Sequence, residues 1–304
     1  MPDPDPKAEE RQRIEFLRQS LATCDRFLSP LADPRGKRVL AVGCGAGTES
    51  VWALSRGARE LVGIDSETQN ESAARAFLEE LGVSPAPFQF LRHAAERADE
   101  LEGPFDLILS FNTIEHLADP GAVLAACGRV LEPTAGRVAM FADPLYYSSC
   151  GSHLEHEPWE HLWGDWEEIR ARRAAVDDFH GHYLREHSVA EFIDDYSRLN
   201  RFRARDYLDA VARSGLVPLD FGFVYDRNLD RLAEHLPRLV ARSPREVTPL
   251  DFAVEGIWFL LAPATAITGV EAQSHGSLSP MSSTVRPLDP LNAKPRRPWW
   301  RRRG

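Results

Sequence analysis

The stretch Val39–Glu49, which reads VLAVGCGAGTE, decides the fold of this 304-residue chain. It starts as a short apolar run, passes through glycines at alternate positions (Gly43, Gly45 and Gly47), and ends in residues that suit the start of a helix. Glycines let a backbone approach a ligand closely, and the free N–H groups at a helix start point towards it. The stretch therefore predicts a strand, a tight turn and a helix, with a ligand bound at the turn.

Short apolar runs alternate with helical segments along most of the chain. These runs predict strands at 39–42, 61–64, 88–91, 106–110, 138–141, 216–225 and 252–261. Helical spacing of apolar residues predicts helices around 51–54, at 68–81, 123–131 and 203–214, and from about 227 to 241. The alternation predicts an α/β fold, with a seven-stranded, mostly parallel sheet that carries helices on both faces.

Both ends of the chain differ from this core. Residues 1–8 are rich in proline and aspartate, which predicts disorder. Apolar residues then recur at helical spacing over 14–28, which predicts an N-terminal helical cap. Residues 264–304 are rich in serine, proline and threonine, so a disordered tail is expected after one domain at 9–263.

The composition argues against several classes of protein. The formal net charge of −10 opposes a protein built around a nucleic acid, so no nucleic-acid partner is expected. The four cysteines form no zinc or redox motif, and the first residues contain no apolar signal-peptide core. A cytoplasmic protein without a spanning helix is expected, and its oligomeric state stays open.

Asp65 ends the second predicted strand, which reads LVGID at 61–65. A carboxylate at this position can accept hydrogen bonds from both hydroxyl groups of a ribose. Dinucleotide sites share this arrangement, but their fingerprint needs a third glycine where Thr48 stands. The spacing of the glycines is instead typical of proteins that bind S-adenosylmethionine (SAM), which has no pyrophosphate.

Several segments occur in the order found in class I SAM-dependent methyltransferases, and the chain resembles that family over about residues 37–142. They are the glycine turn at 43–47, Asp65, HAAE at 93–96, FDLILSFNTIEHL at 105–117 and RVLEPTAG at 129–136. The resemblance implies a Rossmann-like class I methyltransferase fold with SAM as the methyl donor.

The resemblance also assigns a cofactor site at one edge of the sheet. Its members are Gly43, Gly45, Gly47, Asp65, Ser66, Ala94, Ala95 and Asn112. Asp65 would hold the ribose, the two alanines would border the adenine, and Asn112 would lie below the sulfonium. The family often has aspartate where Ala94 stands, so adenine recognition here must rest on backbone groups and packing.

Glu115 and His116 close the segment that begins at Asn112. In ubiquinone-type O-methyltransferases a related Glu-x-x-Glu-His segment resembles a magnesium site. Asn112 replaces the first glutamate here. Because a hard cation such as Mg²⁺ binds through several oxygen ligands, no metal is predicted.

The segment at 145–202 interrupts the alternating pattern after the fifth predicted strand. It resembles a group of bacterial methyltransferases with Tyr-Ser-x-x-Gly-x-His followed by Pro-Trp-x-His-Leu, and in class I enzymes this position commonly carries acceptor-binding elements. Transfer to a hydroxyl needs a base, so His153 and His161 are candidate catalytic residues, with His116 next. Three tryptophans either wall an apolar pocket or only pack the insert onto the sheet: Trp159, Trp163 and Trp166.

These observations predict a SAM-dependent methyltransferase with a small-molecule, sugar or lipid-like acceptor, most simply methylated on oxygen. Two alternatives stay open, a nicotinamide-dependent Rossmann oxidoreductase and a methyltransferase-like protein that binds SAM without catalysis. The basic segment 294–304 contains Trp299 and Trp300, which suggests weak contact with an anionic membrane, or else a solvated tail without a partner.

Overall fold

The computed structural model of the chain describes residues 6–66, 71–151, 157–174 and 199–266. One sheet of seven strands, in the order β3-β2-β1-β4-β5-β7-β6, forms its centre. The strands are β1 Arg38–Val42, β2 Glu60–Asp65, β3 Phe88–Arg92, β4 Leu107–Phe111, β5 Arg137–Ala142, β6 Leu216–Tyr225 and β7 Val254–Pro263. All pairs are parallel except those of β7, which runs antiparallel to both β5 and β6.

Helices cover both faces of this sheet, as predicted. They are α1 Pro6–Leu28, α2 Thr48–Ser55, α3 Glu71–Glu80, α4 Pro120–Val130, α5 Glu160–Trp163, α6 Trp166–Ala174, α7 Ala204–Arg213, α8 Leu232–Arg242 and α9 Pro249–Ala253. Alternate residues of the strands point to opposite faces, so Val39 packs with α1, α2 and α3, whereas Leu40 packs with α4 and α7. Because both faces of the central strands are buried, β1, β2, β4 and β5 are mostly apolar, whereas the edge strand β3 exposes Gln89 and Arg92.

A third apolar cluster lies apart from the two faces of the sheet. It joins the segment after β5 to the segment between β6 and β7, and it contains Tyr146, Tyr147, Trp159, Leu199, Leu232, Leu239, Val247 and Phe252. The sequence predicted an insert only at 145–202. The structure adds residues 226–253, including α8 and α9, as its packing partner.

Two predicted boundaries are wrong by a few residues. Helix α1 already begins at Pro6, inside the segment predicted to be disordered, because proline suits the first position of a helix. Strand β7 begins at Val254 rather than at 252, since Thr248 and Asp251 form a capping box that starts α9 just before it. The tail at 267–304 lies outside the described residues.

The described residues form one compact unit. None of the helices in the described ranges combines the length and the apolar character needed to cross a bilayer.

Candidate cofactor and acceptor site

The glycine turn between β1 and α2 has a backbone that ordinary residues rarely adopt. Gly43, Gly45 and Gly47 have φ angles of 71°, 41° and 92°. The N–H groups of Gly43 and Cys44 donate to the carbonyl of Ile64 at 2.8 and 2.9 Å, which ties the turn to the end of β2. A Cβ atom at Gly43 would lie 2.1 Å from Cγ2 of Thr113, so only glycine fits there.

Asp65 lies beside this turn, where the sequence predicted a ribose ligand. Its Oδ2 accepts a hydrogen bond from the N–H of Gly45 at 3.0 Å. A Cβ atom built on Gly45 would meet nothing closer than 4.0 Å, and one of those atoms is the same Oδ2. The carboxylate therefore borders open space that any side chain at position 45 would enter, and the resemblance places the ribose there, next to the backbone of the turn.

The other predicted cofactor residues follow β2, β3 and β4 at the same edge of the sheet. Ser66 directly follows Asp65, and the N–H of His93, next to Ala94 and Ala95, donates to the carbonyl of Asp65 at 2.8 Å. Parallel pairing of β2 with β3 brings these segments together. Their predicted contacts with the adenine stay predictions.

Asn112 lies across the glycine turn, at the end of β4. Its φ of 53° is left-handed, a conformation that asparagine tolerates better than most residues, and its N–H donates to the carbonyl of Phe141 at 2.8 Å. The next residue, Thr113, donates from Oγ1 to the carbonyl of Gly43 at 3.2 Å. Asn112 is thereby held at the edge where the resemblance places the sulfonium.

Buried carboxyl groups lie behind this edge, and none of them was among the predicted site residues. Glu115 is 1% exposed, and neither of its carboxyl oxygens has a hydrogen-bond partner. Burial raises the pKa of Glu115 well above its usual range, and the nearby carboxyl of Asp143, just after β5, adds to the effect. Burial, followed by the charge of Glu255, likewise raises the pKa of Asp143, while Arg227 opposes that rise.

Arg227 anchors the far side of this carboxyl group cluster. Its Nε donates to Oε1 of Glu255 at 2.8 Å, and its backbone N–H donates to Oε2 of the same residue at 2.8 Å. The hydrogen bond to Glu255 raises the pKa of the guanidinium further above its usual value. Charge is therefore neutralised at Glu255, whereas Glu115 has no such partner among the described residues.

Replacing Glu115 by glutamine is expected to raise the free energy of unfolding at neutral pH by about 1–3 kcal/mol, because glutamine stays neutral and needs no proton on folding, whereas the buried carboxyl group does. The folded protein holds a proton on Glu115 that the unfolded chain releases above its ordinary pKa of 4.5. The penalty is thus absent below that pH and grows as the pH rises towards the folded pKa. Denaturation curves at several pH values measure it, with the exposed Glu96→Gln as control. A gain that does not depend on pH would contradict this account.

Asn200 is a further residue that sequence reasoning missed. Its Nδ2 donates to the carbonyls of Ile114 and Leu117 at 2.7 and 2.9 Å, and its Oδ1 accepts from the hydroxyl of Tyr207 at 2.9 Å. The segment that carries Glu115 and His116 is therefore fixed from the chain that returns after the insert. An isolated asparagine with no motif around it gives no signal for such a contact.

The three candidate histidines have different surroundings. His161 is buried, and its Nε2 lies 2.6 Å from the carbonyl oxygen of Tyr146, which requires the proton on Nε2. A base at this residue would have to use Nδ1. His116 follows Glu115; part of the residue is exposed, but burial of its imidazole lowers the pKa of the ring to about 4. His153 lies outside the described residues.

The predicted tryptophan wall is in part a packing element. Trp159 is fully buried in the third apolar cluster, and its Nε1 donates to the carbonyl of Phe252 at 3.3 Å. Trp163 is half-buried with the guanidinium of Arg238 above its ring at 3.8 Å, and Trp166 begins α6. Among the described ranges, no group of three or more histidine, cysteine, aspartate or glutamate side chains is arranged to hold a metal ion.

Comparison with known proteins identifies the family of this chain. The sequence profile of a family described as a methyltransferase domain matches residues 10–218. This chain belongs to that methyltransferase family. The match confirms the prediction of a SAM-dependent methyltransferase, with SAM as its donor, over the nicotinamide-dependent oxidoreductase.

Two curated relatives are similar to part of this methyltransferase. The ubiquinone biosynthesis O-methyltransferase of Hahella chejuensis is 41% identical over 110 residues, which cover 36% of this chain and 44% of that protein. The enzyme of the same name from Cereibacter sphaeroides is 33% identical over 122 residues, or 40% of this chain and 48% of that protein. The chain thus matches less than half of the length of these relatives.

A solved structure extends the comparison of the fold. The geranyl diphosphate C-methyltransferase of Streptomyces coelicolor A3(2) has a TM-score of 0.50 and 14% sequence identity, and the match covers 87% of this chain and 86% of that one. At this identity the likeness concerns the fold alone. It confirms the Rossmann-like class I fold that the alternating pattern predicted.

Proposed function

We propose that this methyltransferase transfers the methyl group of SAM to a hydroxyl oxygen of a small molecule. The observation that carries the proposal is the shared edge of the sheet, where the glycine turn, Asp65 and the segment 112–116 are joined by hydrogen bonds. The partial similarity to two O-methyltransferases supports oxygen as the acceptor atom. Because that similarity covers under half of each relative, the identity of their acceptors is not carried over.

The cofactor site follows from the residues at this edge. SAM, when bound, supplies a methyl group on a positively charged sulfur. Asp65 would accept hydrogen bonds from the ribose, and the turn at 43–47 would lie against the ribose and the methionine portion. The segment after Asn112 would face the reacting end, held in position by Asn200. The protein would then contribute to catalysis mainly by aligning the acceptor with the methyl group and by excluding water.

His116 is the candidate base that the described residues support best. A base must be unprotonated to accept the hydroxyl proton, and a pKa of about 4 keeps this imidazole neutral at physiological pH. His116→Ala is expected to lower kcat/KM by roughly 100-fold while leaving the affinity for SAM unchanged. In the wild type, kcat/KM should stay level down to about pH 5, since protonation of a base with this pKa sets in only below it.

The assay measures transfer of labelled methyl from SAM to a panel of hydroxylated small molecules. His153→Ala and His161→Ala are the matched variants, and Asp65→Ala, which should weaken SAM binding by about 10- to 100-fold, separates cofactor loss from acceptor loss. A loss of turnover in His153→Ala or His161→Ala that His116→Ala does not share would assign the base to that residue instead. SAM binding without turnover on any acceptor would favour the non-catalytic alternative.

A further inference from the structure

Glu49 is a buried carboxyl group that the proposed chemistry does not yet use. It is the second residue of α2, directly after the glycine turn, and it is 2% exposed. Its Oε1 has no hydrogen-bond partner. An acidic residue in the first turn of a helix gains from the helix dipole, and this carboxyl group also accepts a backbone hydrogen bond, but that gain is smaller than the cost of burying Oε1 without a partner. Helix stability therefore does not explain the residue.

The groups around Glu49 come from α1, the glycine turn and β2. Burial raises the pKa of the Glu49 carboxyl well above its usual range, and the Asp65 carboxylate raises it further. Burial raises the pKa of two thiols, those of Cys24 in α1 and Cys44 in the turn, and the proximity of the Glu49 carboxyl group adds to this rise. The cation near Cys24, Arg56, already forms an ion pair with an aspartate of α1. A cation that binds from outside the protein would therefore stabilise the Glu49 carboxylate.

We propose that Glu49 is a cofactor-binding residue, the anionic partner of the α-ammonium group on the methionine portion of SAM. This rests on the proposed function, which puts the methionine portion at the glycine turn. The position of Glu49 fits this, because it directly follows the glycine turn, and α1 lies over this start of α2 through the contact of Ser20 Oγ with Thr48 Oγ1 at 2.9 Å.

Binding of the ammonium group would change the protonation of Glu49. The neutral carboxyl of the free protein becomes a carboxylate beside the cation, and its proton passes to the buffer. The pKa of Glu49 is therefore lower in the complex than in the free protein. Between these two pKa values, the affinity for the cofactor rises with pH. S-adenosylhomocysteine (SAH) carries the same ammonium group without the sulfonium, and 5′-methylthioadenosine carries neither.

Calorimetric titration of these three ligands tests the proposal. Glu49→Gln is expected to weaken SAM and SAH alike by about 10- to 100-fold and to leave 5′-methylthioadenosine unchanged. The control is Glu79→Gln, an exposed glutamate on the neighbouring helix α3, which should change none of the three. The wild type should release a proton when SAH binds at neutral pH, seen as a dependence of the binding enthalpy on the buffer, and this dependence should vanish in Glu49→Gln.

The outcomes separate this proposal from the proposed function. A wild type that binds neither SAM nor SAH contradicts the proposed function itself. Equal binding of SAH by the wild type and Glu49→Gln overturns only the role of Glu49. If Glu49→Gln binds SAM more weakly but SAH equally well, Glu49 contacts the sulfonium rather than the ammonium group. If its affinity for 5′-methylthioadenosine falls by the same factor, the substitution deforms the glycine turn. Proton release is measured on the wild type, so it remains a test even where Glu49→Gln folds poorly.

Discussion

Gly43→Ala is expected to lower the affinity for SAM by about 100-fold or more and to destabilise the fold by about 2–5 kcal/mol. The new Cβ atom would lie 2.1 Å from Cγ2 and 2.8 Å from Cβ of Thr113, so the segment after β4 must move away from the glycine turn. Forcing a side chain into a packed site costs about 1–3 kcal/mol. The left-handed φ of 71° at this position costs a further 1–2 kcal/mol, roughly, for any residue other than glycine.

Gly36→Ala separates these two effects. Gly36 has a φ of 69°, close to that of Gly43, but a Cβ atom there would meet nothing within 4 Å. In Gly36→Ala the free energy of unfolding should therefore fall only by the cost of the left-handed backbone, about 1–2 kcal/mol, and the affinity for SAM should not change. Isothermal titration with SAM and chemical denaturation measure both variants. If Gly43→Ala matched Gly36→Ala in both measurements, contact with Thr113 would not be what requires glycine in the turn.

The sequence predicted this part of the molecule because the signals there are local. A strand, a glycine turn and a helix follow one another within Val39–Ser55, and each depends on residues a few positions apart. The same holds for β6, whose predicted and observed bounds are both 216–225. The short parallel strands were found to within one or two residues because burial on both faces makes the central ones mostly apolar.

The carboxyl cluster behind the sheet edge could not be predicted in the same way. The cluster combines residues from three different strands: Glu115 follows β4, Asp143 follows β5, and Glu255 lies in β7. Only the antiparallel pairing of β7 with β5 brings Glu255 near the others. Nothing in the spacing of these residues along the chain indicates that they meet. Glu49 is similar, since its burial depends on how α1 packs over α2 rather than on the motif in which it lies.

The role of Trp159 was left open between a pocket wall and a packing element, and the structure favours packing. The side chain is fully buried, and it lies against the ring of His235 with 5.4 Å between the ring centroids. Its backbone has a φ of 59°, an uncommon conformation for a bulky residue. Such a conformation persists only where the surrounding contacts fix it. Trp159 therefore joins the segment after β5 to the segment between β6 and β7.

Trp159→Ala is accordingly expected to lower the free energy of unfolding by about 3–5 kcal/mol, as for other large aromatic residues removed from a core. The third apolar cluster is separate from the two that hold the sheet, so the loss should fall on residues 145–174 and 226–253 first. Hydrogen exchange should show faster opening of α8 and α9. Affinity for SAH should change little, while methyl transfer to the acceptor falls.

Trp163→Ala is the matched control four residues further along the chain, at the end of the helix that Trp159 precedes. Trp163 is only half-buried and contacts Arg238 through its ring face, so its loss should cost about 1–2 kcal/mol. The pocket-wall interpretation makes the opposite prediction for Trp159→Ala: a higher KM for the acceptor with no change in stability. Unaltered denaturation and hydrogen exchange together with such a rise in KM would overturn the packing role. A loss of stability with an unchanged affinity for SAH would mean that the insert and its partner segment form a unit that unfolds separately from the cofactor site.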